Sequence, residues 1–253
     1  MANYRLSFQL YSARKFPPIE AQLEALAAIG FDAVEPYAGA YGDDAAGFRR
    51  KLDAVGLAAP TSHMPFDKLE SDRKGAIAVA QTLGLETVII PAPPPGQRDM
   101  DRAGWQALAH KVAGHAAALA DAGMKLAWHN HAWEFRALPD GTRPIDLILA
   151  DPGVRFEPDL GWIDFAGADL AAELKKRSGR IAALHIKDRA PAGVTRDDGW
   201  TDIGAGTIDW KKLWPAIAGS GSDLLVFEHD DPSDWRGFAA RSYAYVSKLI
   251  GRG

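Results

Sequence analysis

The sequence predicts an α/β fold closed into a single (β/α)8 TIM barrel, and three observations carry that expectation. Strand-like and helix-like runs alternate from one end to the other in eight pairs, which means parallel strands joined by helical crossovers. Gly30, Gly56, Gly84 and Gly123 each follow a helix-like run and precede a strand by one residue, the usual place of a left-handed helix stop. The length of 253 residues suits such a barrel, and residues 1–253 are read as one domain.

In chain order, the candidate strands are Tyr4 to Leu10, Phe31 to Pro36, Leu57 to His63, Leu85 to Pro91, Met124 to Asn130, Val154 to Asp159, Ile181 to Lys187 and Asp223 to Glu228. Each is a short run bounded by turn signals, as buried strands are. The stretches between them include Ile19 to Ile29, Asp72 to Leu83, Trp105 to Asp121, Leu170 to Lys176 and Trp210 to Ile217, whose apolar residues recur at helical spacing. An open doubly wound sheet is the competing architecture. It lacks support because Ser12-Ala13-Arg14-Lys15, not Gly-x-Gly-x-x-Gly, follows the first strand. Gly204-Ala205-Gly206 comes late, lacks a third glycine and reads as a loop turn. Pro91-Ala92-Pro93-Pro94-Pro95-Gly96 forms a stiff, extended loop after the fourth strand, placed to wall a pocket.

Composition narrows the function. The chain is 47% hydrophobic and 25% charged, as soluble globular proteins are. It has no cysteine, which removes disulfides, thiol nucleophiles and Cys-based metal sites and leaves His, Asp and Glu as the strong ligands. A net charge of −4 offers no footprint for nucleic acid or an anionic membrane. The amino terminus shows no signal-peptide pattern and no window of about 18 apolar residues occurs, so a cytoplasmic location is expected, with no membrane partner.

Polar side chains collect at the carboxyl ends of the strands, where a barrel places its active site. The first strand ends with Gln9, the second with Glu35 and the third with His63. The fifth ends His129-Asn130-His131 with Glu134 just beyond, the sixth Glu157-Pro158-Asp159, the seventh His185-Ile186-Lys187-Asp188 and the eighth Phe227-Glu228-His229-Asp230. Residues two apart share a strand face. His185 and Lys187 therefore share one, Glu157 and Asp159 another, and His129 and His131 a third with small Ala127, which turns His129 inward and leaves Asn130 to brace the loop. Asp159, His185 and Glu228, on three consecutive strands, form a carboxylate, imidazole and carboxylate set suited to one divalent cation. The fourth ligand falls to the fifth strand, where Glu134 is the natural carboxylate and His129 is better placed by phase. Mostly oxygen donors with one nitrogen favour manganese, with magnesium, cobalt and zinc also in range.

Plainer roles stand beside these. A single histidine at a strand end, such as His63 or His229, is ordinarily a hydrogen-bonded structural residue. Glu134 could form a salt bridge, Glu35 could cap the second helix, and Lys187 could pair with Asp188 or Glu157. Inward phase instead sets Glu35 and Lys187, with Gln9 and His63, against a bound polyol. Trp162 is by default core or pocket wall, yet it offers an aromatic face to a sugar ring.

Taken in order, Phe8-Gln9-Leu10-Tyr11-Ser12, His129-Asn130-His131 with Glu134-Phe135, Asp159-Leu160-Gly161-Trp162, His185-Ile186-Lys187-Asp188 and Gly204-Ala205-Gly206-Thr207-Ile208-Asp209-Trp210 resemble the xylose isomerase-like TIM barrels, the sugar phosphate isomerase/epimerase superfamily. The resemblance spans essentially the whole chain. It implies one divalent cation, commonly manganese, held at strands five to eight by residues that correspond in position to Glu134, Asp159, His185 and Glu228. Ketose 3-epimerases and hydroxypyruvate isomerases of that superfamily carry a metal-binding glutamate where this chain has His129. The His-Asn-His pattern is more similar to the branch of inosose dehydratases and enzymes of 3-keto sugars and glycosides, in which a strand-five histidine would serve as base.

The expected function is a divalent-cation-dependent isomerase or epimerase of a keto sugar or keto polyol, working through an enediolate in carbohydrate metabolism. With the substrate carbonyl at the cation, the neighbouring C–H becomes acidic and His131 or His129 takes the proton, Glu228 being the third catalytic group. Proton return to the opposite face epimerises, return to the next carbon isomerises, and loss of a β-leaving group dehydrates. A dehydratase or lyase on an inosose or 3-keto glycoside is therefore the second expectation. A non-catalytic sugar-binding barrel would have little use for a full ligand set. An endonuclease on the same barrel would need more metal-binding histidines and a basic groove. No phosphate cradle is evident, the partner is a small sugar or polyol, and a homo-oligomer is left open.

Overall fold

In the computed structural model, which describes residues 4–252, parallel strands alternate with helices as β1 (Arg5–Gln9), β2 (Ala33–Glu35), β3 (Thr61–His63), β4 (Thr87–Ile90), β5 (Lys125–His129), β6 (Val154–Glu157) and β7 (Leu184–Ile186). A hairpin of β8 (Asp188–Arg189) and β9 (Trp200–Thr201) precedes the last strand, β10 (Leu224–Phe227). Met1 to Asn3 and Gly253, the extremes of the expected domain, lie outside the described residues. Hydrogen-bonded ladders run in the orders β2-β1-β10-β7 and β3-β4-β5-β6. Parallel bridges close the two seams: Ala33 with Ala58 and Tyr37 with His63 on one side, Phe156 with Ile181 and Asp159 with His185 on the other. The ring formed by β1 to β7 and β10 is a TIM barrel, and each of its strands falls inside an expected run. The antiparallel β8–β9 hairpin has no counterpart in the sequence reading, because two residues per strand carry no periodicity.

Strand alternation separates two cores. Outward residues such as Phe8, Val88, Trp128, Phe156 and Phe227 join Trp105 and Phe238 of the surrounding helices in one large cluster, while Ala183, Leu224 and Val226 form a small separate one. Most of the apolar burial that stabilises the fold lies outside the ring, at roughly 1.5–3 kcal/mol per large side chain. The interior is left free for polar groups.

Helix starts obey a repeated local rule. At 44–47, 72–75, 101–104 and 234–237 the sequence reads Asp-x-x-Gly, and the aspartate Oδ1 accepts from the glycine N–H at 2.7, 2.9, 2.8 and 2.9 Å. At Gly47, Gly75 and Gly237 the capping carboxylate presses close on the glycine; a Cβ on Gly47 would lie 2.0 Å from Asp44 Oδ2. Among the described residues no helix is long and apolar enough to cross a membrane.

The segment from Gly204 to Trp210 is more than the expected loop turn. Asp188, facing away from the barrel interior, accepts from Gly204 N at 2.9 Å, Gly206 N at 3.2 Å, Ile208 N at 3.3 Å and Trp210 Nε1 at 2.7 Å. A Cβ on Gly206 would stand 2.2 Å from Asp188 Oδ1. Two distant motifs are thus one structure, a carboxylate and the wrapped backbone that satisfies it, and the register of β7 is pinned from outside.

Removing that carboxylate leaves several donors with no acceptor, each costing about 1–3 kcal/mol. Asp188→Ala is expected to lose about 3 kcal/mol or more, which lowers the thermal midpoint of a chain this size by roughly 6–12 °C. A drop of less than about 2 °C in a differential scanning measurement would show that the wrapped loop does not depend on Asp188.

Candidate active site

The carboxyl ends of β5, β6, β7 and β10 bring His129, Asp159, His185 and Glu228 together. All four are buried, and one potential ligand atom from each lies within 4.8 Å of the others. Asp159 divides its carboxylate between two tasks. Oδ1 accepts from Trp162 N at 2.8 Å and caps the helix Leu160–Phe165. Oδ2 accepts no hydrogen bond and stands 3.9 Å from His129 Nε2, 4.0 Å from His185 Nδ1 and 3.7 Å from Lys187 Nζ. Asn130 braces the turn as its phase predicts, its Oδ1 accepting from Asp159 N at 3.0 Å. Glu228 Oε2 lies 3.0 Å from His185 Nδ1. Two imidazoles, two carboxylates and a carboxylate oxygen without a partner form a donor set that fits a divalent cation.

Glu134, expected as the fourth ligand, is not among them. Its Oε1 accepts from Trp128 Nε1 at 3.2 Å and its Oε2 from His131 N at 2.8 Å, so the carboxylate closes the turn after β5. Burial pushes this carboxyl up to about 8 against the hydrogen bond from His131 N.

A second tier lies below. Glu35 Oε1 accepts from Gln9 Nε2 at 2.7 Å and from His185 Nε2 at 2.7 Å, and His63 Nε2 is 3.1 Å away. Glu35 and Gln9 are therefore held within the barrel, fully buried, and neither is among the residues that line the cavity above. Glu157, absent from the expected site, is equally buried and lies 3.0 Å from His63 Nε2. Its signal was present in the sequence: it stands two residues before Asp159, on the same strand face.

Above these tiers opens a cavity of about 270 Å³, lined by Tyr11, Tyr37, Ala38, His63, Pro65, Pro91, Ala92, His129, His131, Glu228 and Asp230. The proline-rich loop after β4 does wall it. The His131 ring stacks on Trp133 at 4.1 Å, and its Nδ1 has no hydrogen-bond partner. Lys187 pairs with neither Asp188 nor Glu157, because Asp188 faces the outer loop. Its ammonium instead contacts Asp230 and lies 3.5 Å from Glu228, with the rings of Trp162 and Trp200 at 4.9 and 4.3 Å. Asp230 stands two residues past Glu228 at the polar end of the eighth strand, so alternation carried its signal, whereas Trp200 had no motif that marks it in the sequence.

Charge in this volume is balanced locally. Burial acts to raise the Glu35 carboxyl, but the charges of His63 and His185 overcome it and hold that group well below its ordinary range. Burial likewise opposes protonation of His63, yet Glu35 and Glu157 bring it up to about 9. His185 is held well above its usual value, against burial, by Glu157, Glu35 and Glu228. His129 and His131 fall the other way, lowered first by burial and then by the charges of His185 and Lys187 respectively. Burial pushes Asp159 up to about 7 despite the pull of Lys187. His229 is lowered to about 4 by burial, and its backbone N–H is bound by Ser12 Oγ at 3.0 Å, a structural setting.

Lys187 is the cation most enclosed by carboxylates, so Lys187→Met is expected to cost about 3–5 kcal/mol by leaving buried charge uncompensated. Adding Asp230→Asn should recover at least about 1 kcal/mol in a double-mutant cycle followed by urea denaturation. Strict additivity of the two substitutions would count against the pairing.

Residues 23–247 match the family model described as xylose isomerase-like TIM barrel. A protein of Escherichia coli (strain K12), provisionally named an L-ribulose-5-phosphate 3-epimerase, is 29% identical over 144 residues, 56% of this chain; the match spans about half of that relative, 50% of its length. A solved sugar phosphate isomerase/epimerase from Parabacteroides distasonis ATCC 8503 is 20% identical with a TM-score of 0.80, covering 97% of this chain and 94% of its own. A xylose isomerase-like TIM barrel protein from Mycobacterium smegmatis, in complex with magnesium, is 17% identical with a TM-score of 0.71, covering 98% of this chain and 96% of its own. At these identities the structural likeness is one of fold. With the family model covering most of the ring and the helices around it, the chain belongs to the xylose isomerase-like TIM barrel family.

Proposed function

We propose that this chain is a divalent-cation-dependent isomerase or epimerase acting on an unphosphorylated keto sugar or keto polyol. The observation that carries the reading is the convergence of His129, Asp159, His185 and Glu228 at a cavity whose wall also holds His131. A cation held by those four residues would act as a Lewis acid on the substrate carbonyl, worth several kcal/mol of charge stabilisation. His129 in place of Glu134 makes the donors two nitrogens and two oxygens, which widens the preference from manganese and magnesium toward cobalt and zinc.

His131 is the base in this reading. It lines the cavity, its Nδ1 is unpartnered, and stacking on Trp133 fixes the plane of the ring. An imidazole that takes a proton from the carbon beside the carbonyl can return it to the next carbon, which isomerises; return from the opposite face by another group epimerises. The unphosphorylated substrate follows from the walls. No lysine or arginine is among the described residues that line the cavity. Lys187 is engaged by Asp230, and Arg14 donates to the backbone oxygens of Tyr11 and Asp230. Tyr11 and Tyr37, edge to face at 5.4 Å, offer an apolar surface to the C–H face of a sugar.

Elemental analysis of the purified protein is expected to find about one divalent ion per chain, retained in Glu134→Gln and lost in Glu228→Gln. His131→Ala should keep the ion while slowing exchange of substrate C–H with deuterated solvent by about 10²–10⁴-fold. Phosphorylated ketoses should be poorer substrates than their unphosphorylated counterparts. Metal content unchanged in Glu228→Gln would remove the proposed centre, and full exchange in His131→Ala would remove the proposed base.

A further inference from the structure

We infer that Glu157 is a positioning residue, which selects the nitrogens that His129 and His185 present to the cation-binding set. The inference rests on a cation at His129, Asp159, His185 and Glu228, as proposed above, and not on the sugar chemistry. A single oxygen, Glu157 Oε2, lies 3.0 Å from His63 Nε2, 3.2 Å from His185 Nε2 and 3.4 Å from His129 Nδ1. An ionised carboxylate can only accept, so an imidazole nitrogen held against it is an N–H; His185, held between Glu157 and Glu228, carries a hydrogen on each nitrogen, and a cation at the upper set would take the place of the one on Nδ1 and leave Nε2 as the N–H.

The nitrogens opposite Glu157 face the upper tier. His185 Nδ1 is 3.0 Å from Glu228 Oε2 and 4.0 Å from Asp159 Oδ2, and His129 Nε2 is 3.9 Å from Asp159 Oδ2. Glu157 and Asp159 thus work on opposite edges of the same two rings, from positions two residues apart on one strand. The lower carboxylate stands at His129 Nδ1, which has no hydrogen-bond partner, and beside Glu35 at His185 Nε2, while the upper one shares the opposite edges with Glu228. Glu35 reinforces the arrangement at His185, its Oε1 being 2.7 Å from Nε2 and itself anchored by Gln9 Nε2 at 2.7 Å. Carboxylates that orient ligating histidines in this way are worth about 10–100-fold in metal affinity.

Zinc is the probe, because it is diamagnetic and suits this donor set. In protein labelled with ¹⁵N at histidine and loaded with zinc, His185 Nε2 and His129 Nδ1 should carry the hydrogens, and His185 Nδ1 and His129 Nε2 should be the metal-bound nitrogens. Competition with a chromophoric chelator should give a zinc affinity about 10–100-fold weaker in Glu157→Leu, with Glu157→Gln between it and the parent because an amide oxygen can still accept one N–H. The reverse nitrogen assignment in the parent protein would overturn the inference, and this readout needs no variant to fold. So would an affinity within 2-fold of the parent in folded Glu157→Leu, two zinc ions per parent chain falling to one in either variant, or no zinc binding at all. Zinc bound through the expected nitrogens with no turnover of any keto sugar would leave this inference standing and sink only the proposed reaction.

Discussion

Glu35, Glu157, Asp159 and Glu228 lie buried at the carboxyl end of the barrel together with His63, His129, His185 and Lys187, and desolvating so many ionisable groups is tolerable only where opposite charges meet. The strands meet that demand through register. Gln9 pairs with Glu35 across β1 and β2, His129 with Glu157 across β5 and β6, and Val226 with His185 across β10 and β7. A slip of one residue in any of these ladders would turn a charged side chain into the apolar shell between ring and helices. The parallel ring is therefore held to its phase from the inside by charge as well as from the outside by Phe8, Trp128 and Phe227.

Several features away from the cavity become intelligible as supports for that phase. Asp188 and its wrapped loop hold the end of β7 from the outer side, so that the two residues at alternate positions before it, His185 and Lys187, both face in. The Leu160–Phe165 helix begins on Asp159 Oδ1, which fixes the carboxylate plane and leaves Oδ2 directed at the imidazoles. Gly161 belongs to the same arrangement, since a Cβ there would lie 2.8 Å from the Trp200 ring and 2.9 Å from Lys187 Cγ. The hairpin of β8 and β9 brings that tryptophan over the Lys187 ammonium, where the ring face stabilises a buried cation.

The ring was legible in the sequence because its signals are local and repeated: short apolar runs alternate with amphipathic ones, and glycine stops recur at 30, 56, 84 and 123. The inward phase of His129, Asp159, His185 and Glu228 was legible for the same reason, since alternation along a strand needs only the strand to be found. Glu134 shows where that reasoning stops. Chemical type favoured it as a ligand over His129, but it lies five residues past His129 in a turn, where no periodicity says which way a side chain points, and its oxygens are taken by Trp128 and His131. Glu35 and Gln9 were placed on the right face but at the wrong depth, because alternation distinguishes inside from outside and not floor from wall. The pairing of Asp230 with Lys187, the place of Trp200 and the Asp188 cradle depend on contacts between segments far apart in the chain, which only the folded structure supplies.

Depth is what turns a list of inward residues into a site with a direction. At the end of β6 the carboxylates at 157 and 159 meet the same two imidazoles from below and from above, and their surroundings differ: Glu157 faces His63, whereas Asp159 caps a helix and stands beside Lys187. The lower tier is bonded within itself and to His185 through one oxygen of each carboxylate, Glu35 Oε1 and Glu157 Oε2, while Glu35 Oε2 and Glu157 Oε1 have no hydrogen-bond partner. The upper tier opens on a cavity lined by tyrosine, proline, alanine and histidine with Glu228 and Asp230, and by no lysine or arginine among the described residues. In the reading proposed above, a cation would complete the upper tier, and the lining offers no counter-charge to an anionic group among the described residues. A divalent ion beneath a neutral polyhydroxy ketone suits both features, whereas a sugar phosphate would set its dianion among aromatic rings and beside Asp230, whose cation is already engaged.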